Sequence, residues 1–191
     1  MLYALALGAL ISACPAKPNT MREGTQMSKH EDRIKSEAAQ QMSWNAGDVV
    51  VETIDAIELG GCHFYGAFHA TKPTGAPLAY AVLANGEVVG QAKQDAVDAI
   101  AAGCRTDGAS AKSWAELLAR FDTKVAPGQV LYAPPPPISE GDAPDARIQA
   151  PKLDNGTLTF FTHNMHTDRT YVVTAKVSDG AVSDVEAKNH N

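Results

Sequence analysis

The clearest hydrophobic pattern in the chain is a period of two near its C-terminus. Tyr171, Val173, Ala175 and Val177 alternate with Val172, Thr174, Lys176 and Ser178. That is how a strand with one buried face reads. The neighbouring stretches GTLTFFTHNM and AVSDVEAK read as its partners, and Asp179–Gly180 marks a tight turn between the last two. Together these segments predict a β-meander. A second strand-rich region lies nearer the N-terminus. Asp48–Leu59 is rich in β-branched residues and is broken by Gly60–Gly61. The run CHFYGAFHA follows as another strand, with Cys62, Phe64, Gly66 and Phe68 on one face and His63, Tyr65, Ala67 and His69 on the other. LAYAVLANGEVVGQ reads as a hairpin whose Asn85–Gly86 pair suits a type I′ turn.

Helical spacing appears between these two regions. Ala96, Val97, Ile100 and Ala101 share a face, and Gly103 is positioned to end that helix. Trp114, Leu117, Leu118 and Phe121 fall at i, i+3, i+4 and i+7. Ser113 with Glu116 three residues later reads as the capping box of this second helix. The order of elements predicts an α+β fold: an antiparallel sheet with a C-terminal β-meander and two short helices packed on one face.

Two segments lack such patterning. Residues 14–45 are polar and charge-mixed and read as a flexible tether, although Ser28–Gln41 contains enough helix formers for a weakly packed surface helix. Residues 126–151 contain APPPPISEGDAPDARIQAP and read as a Pro-rich loop, serving as a spacer or edge cover. A PxxP ligand is the less ordinary reading of the same prolines. This leaves residues 46–191 as a single folded domain.

Composition adds limits. Apolar residues make up 45% of the 191-residue chain, enough for a core, and aromatics only 6%, so Val, Ala, Leu and Ile must fill it. The formal net charge is −6 and no Lys/Arg cluster stands out, so the electrostatic footprint of a nucleic-acid binder is missing. No apolar run reaches the length of about 18 residues that a transmembrane helix needs.

The first residues change the picture most. Leu2–Ile11 is a ten-residue apolar run, the length of a secretory h-region. Ile11-Ser12-Ala13-Cys14 follows: a large aliphatic residue, two small ones, then cysteine. This resembles the bacterial lipoprotein signal, and the resemblance covers residues 1–14 only. It implies that residues 1–13 are a signal peptide and that Cys14 carries a diacylglyceryl thioether, with its amine acylated as well. Such chains hold a protein on a membrane. Pro15 in place of Asp favours an outer-membrane address over the inner membrane. MLYALA departs from the pattern in carrying no Lys or Arg, and a buried N-terminal helix or a start at Met21 or Met27 remains the alternative.

The resemblance also bears on the three cysteines. With Cys14 assigned to lipid, Cys62 and Cys104 remain, and an exported, oxidising setting favours a disulfide between them. Two separate buried thiols are the alternative.

Catalytic signatures are missing from the sequence. His30–Glu31 begins like H-E-x-x-H, but Ile34 stands where the second histidine belongs. No G-x-S-x-G elbow, S-x-x-K pair, Walker loop or EF-hand spacing occurs. Of six histidines, His63, His163 and His166 are the candidates for a metal site, with Met165 as a soft ligand for Cu(I). His163 and His166 point to opposite faces if their segment is a strand, and converge only in a turn. No cofactor is expected. The reading is an envelope lipoprotein that binds or scaffolds without catalysis. Its partners would be the membrane, through the lipid, and an envelope protein or small ligand. The alternative is a periplasmic enzyme or metal-binding protein using scattered histidines.

Overall fold

The structure is a computed structural model and describes residues 20–72, 76–135, 145–164 and 167–190. It is an α+β fold with two antiparallel sheets. In the first sheet the strands run in the order β1 (Val49–Thr53), β2 (His63–His69), β3 (Leu78–Val82) and β4 (Val88–Gly90). In the second, β5 (Gln129–Leu131), β7 (Thr157–Asn164), β8 (Arg169–Ser178) and β9 (Ala181–Asn189) lie side by side, and β6 (Lys152–Asp154) also pairs with β7.

The meander forms where the period-2 pattern places it. Val173 and Ala175 are buried, and Tyr171 and Val177 pack against the same core. Asp179 and Gly180 both have positive φ, 51° and 75°, as a two-residue I′ hairpin demands. Asp184, at φ 50°, sits in a register shift between β8 and β9. This bulge turns Val185 inward alongside Val182, which strict alternation would not do.

The helices α2 (Ala96–Gly103) and α3 (Ala111–Phe121) share the face of the first sheet that carries Phe64, Ala79, Ala81 and Val89. The same core takes in Leu158, Phe160 and Val173 of the second sheet. Nearly every residue of α3 is buried, as befits a helix packed on more than one side.

Several local expectations change. The cap of α3 is Ser110, whose Oγ accepts from Ser113 N at 3.1 Å. Ser113 is inside the helix and its Oγ takes a bond from Glu58 N at 3.2 Å, so it is not the cap. At the β3–β4 turn only Gly86 has positive φ (84°), and Asn85 Oδ1 accepts from Glu87 N at 2.8 Å. The Leu83–Glu87 pair closes a three-residue loop with Gly in the left-handed position, so the turn is not I′. Gly103 ends α2 through space: a Cβ there would lie 2.6 Å from Leu83 Cδ1. The strand expected over Asp48–Leu59 stops at Thr53, because the chain turns at Asp55–Ala56 and sends Ile57 and Leu59 into the core. Within the Pro-rich segment, residues 129–131 pair with Leu131 opposite Phe161 as β5; residues 136–144 lie outside the described part.

The largest correction concerns the tether. Thr20–Met42 forms one helix, α1, and Ile34, Ala38 and Ala39 are buried against the outer face of the first sheet. That face carries Tyr65, Leu78, Tyr80, Val82 and Val88. The sheet supplies the bulk that the helix lacks, and the alanines let the helix come close. Its solvent side is laced by Arg33–Glu37 and Lys35–Glu31 pairs at i, i+4. The first sheet is therefore covered on both faces, which is why β3 is buried at all five positions.

Candidate functional site

The most organised surface feature grows from the loop between β1 and β2, residues 54–62. It has little regular structure, yet it is tied down along its length. Ile54 N donates to Phe64 O at 2.8 Å, and Glu58 N to Ser113 Oγ at 3.2 Å. Gly60 and Arg105 exchange two backbone bonds of 2.8 Å. Beside that bridge Cys62 and Cys104 are joined, with S–S 2.05 Å and Cα–Cα 5.7 Å. Gly61 holds φ 78°, a conformation that side-chain-bearing residues resist. Gly60 leaves room for the Arg105 side chain, which would meet a Cβ there at 3.0 Å.

The clamped loop and the start of β2 enclose an open cleft of about 220 Å³. Its floor is Ile54, Ile57, Cys62 and Phe64, and its rim carries Asp55, Glu58 and His63. All three rim side chains are exposed, and none has a side-chain partner among the described residues. The rim can attract and orient a ligand. The sulfur pair at the cleft, Cys62 and Cys104, is bonded to itself.

The residues singled out from the sequence separate. Cys14 and His166 lie outside the described residues, as does Met165. His63 stands on the cleft rim. His163 belongs to β7 in the other sheet, with Nδ1 3.3 Å from Thr170 Oγ1 and Nε2 3.5 Å from Asp168 Oδ1. His63 and His163 thus belong to different sheets, and among the described residues no three His, Cys, Asp or Glu side chains group as metal ligands. Asp55 and Glu58 were missed as site residues because they sit in a stretch that reads as strand; the Gly-Gly break after it is the signal that a loop intervenes.

Three other polar nodes tie chain segments together. His69 is buried beneath Trp44, ring to ring at 5.3 Å and nearly perpendicular, and its Nδ1 accepts from Thr71 N at 3.2 Å. This seats the end of α1 on the sheet. Buried Glu116 accepts from Arg120 Nη1 and from the Tyr132 hydroxyl, fastening the exit of β5 to α3. Burial, and then the bond to Glu116, raises the Tyr132 phenol well above its usual range, so it stays a proton donor. Asp145 receives Arg147 and sits 2.9 Å from His190 Nε2, which packs edge-on against Phe161 at 4.9 Å. Arg147 first, and His190 with it, hold Asp145 far below the ordinary carboxylate range. This strap fastens Asp145 and Arg147 to His190, just past the end of β9.

The chain matches no family model, no curated protein and no solved structure. Among the described residues no helix is long and apolar enough to cross a membrane.

Proposed function

We propose that the protein is a lipid-anchored binding module of the bacterial envelope, held by Cys14 and presenting the disulfide-clamped cleft to its ligand. The Cys62–Cys104 bond carries the reading. Disulfides form and persist in exported proteins, and this one uses two of the three cysteines, leaving Cys14 as the odd thiol at the lipoprotein-like signal. A loop fixed before binding also loses less entropy when a ligand arrives, which suits recognition. The helix α1 gives the anchor a structural consequence. It starts at Thr20, six residues after Cys14, so the lipid would connect to the body through a helix docked on the sheet.

Fractionation of cells producing the chain tests this. The wild-type protein is expected in membranes, extracted only by detergent, and Cys14→Ala is expected to abolish the detergent requirement. A wild-type chain that is soluble without detergent would overturn the proposal.

A further inference from the structure

We propose that the cleft beside the disulfide receives a lysine side chain from a peptide or protein partner. This rests on the binding-module reading above and gives it a ligand class. At about 220 Å³ the cleft is smaller than the roughly 300–1,000 Å³ of pockets for drug-sized molecules. It takes one side chain. Half-buried Ile54, with the edges of the core residues Ile57 and Phe64, offers a narrow apolar strip to an unbranched methylene stem, and Asp55 and Glu58 on the rim carry charge that suits an ammonium at its tip. Lysine is built this way, with its stem against apolar surface and its charge at the water boundary.

Charge complementarity supports the same occupant. Asp55 and Glu58 have no cation of their own among the described residues, and the whole chain has formal charge −6. The field therefore draws cations towards the cleft. A bare divalent ion suits it less. Calcium takes about six to eight oxygen ligands, and no group of three candidate ligands exists among the described residues. The four ties fix the loop backbone that carries both residues, so only the two exposed side chains remain to be ordered on binding.

The test uses the purified, oxidised full chain in detergent with amide-resolved NMR. The probe is N-acetyl-lysine N-methylamide, compared with the norleucine and glutamate analogues. Saturable shifts at Asp55, Glu58, Cys62 and His63 are expected with the lysine probe, with Kd on the order of millimolar. Two exposed ion pairs of ordinary strength imply about fivefold weaker binding of the norleucine analogue, and about fivefold weaker lysine binding by the Asp55→Asn/Glu58→Gln variant. These carboxylates hold up no other side chain, so the variant should melt like the wild type. Equal binding of norleucine, or tighter binding of glutamate, would overturn the lysine assignment and leave the cleft a binding site. No saturable shift at these amides with the lysine probe would also overturn it. Neither result touches the Cys14 anchor, which the fractionation tests separately.

Discussion

Replacing Ile34 with alanine removes the one large aliphatic side chain that α1 buries among its described side chains, residues 29–42. Ile34 is 0% exposed, and the other buried α1 residues in that core are Ala38 and Ala39. Truncating a fully buried isoleucine to alanine costs about 2–5 kcal/mol. Among the side chains of residues 29–42 little else holds the helix. Its ion pairs are internal, and its bond to the sheet, from Tyr80 Oη to Gln41 Oε1, is 3.5 Å long. In a protein most of a helix's stability comes from packing its apolar face, so losing that contact is felt by the whole element. The expected result is local: α1 leaves the sheet while the rest stays folded. Two readouts follow. Amide exchange over residues 29–42 becomes fast while β7 and β8 remain protected. Tyr80, whose phenol burial and then the Glu37 charge push up to about 12, titrates closer to the ordinary phenol value of about 10. The sign is fixed by linkage. A raised phenol favours the folded state fully below pH of about 10, and that advantage is lost as pH rises through about 12. Unchanged exchange over 29–42 together with an unmoved Tyr80 midpoint would refute the docking argument and restore a loose tether.

Three further outcomes are expected. Cys62→Ser with Cys104→Ser opens a link spanning 42 residues, and the chain-entropy model gives a loss of about 4 kcal/mol in urea unfolding. Ser110→Ala removes the side-chain cap of α3 and should cost about 1 kcal/mol by the same assay. Asp145, held far below the ordinary carboxylate range by Arg147 and His190, stabilises the strap above pH of about 4 and loses that contribution as pH falls towards its folded value. Its side-chain carbon should therefore show no NMR titration step in the usual carboxylate window, and Asp145→Asn should remove the corresponding acid dependence of stability.

Much of the fold is legible in the sequence because the patterns there are local. The meander follows from alternation and the Asp179–Gly180 turn, and the α3 stripe from Trp114 to Phe121 follows from 3.6-residue spacing. What is hidden depends on distant partners. The docking of α1 is invisible because its own face is thin; the apolar bulk belongs to Tyr65, Tyr80 and Val82, far along the chain. Ser113 resembles a cap, yet Ser110 is better placed, and Ser113 is taken up by Glu58 N from another segment. Val185 faces inward only because of the Asp184 bulge, which shifts the period mid-strand. The site shows the same division. The Cys62–Cys104 pair and His63 stand out as residue types. Asp55 and Glu58 gain meaning only when the chain turns at Asp55–Ala56 and the loop is clamped to Arg105 and Ser113.

The most direct test of the whole account is the intact mass of the protein extracted from membranes, measured with and without reduction. The account predicts residues 14–191 plus a diacylglyceryl group and an N-acyl chain, with a gain of two hydrogens on reduction as Cys62 and Cys104 part. An unmodified chain beginning at Met1, Met21 or Met27, or one whose mass does not change on reduction, would contradict it.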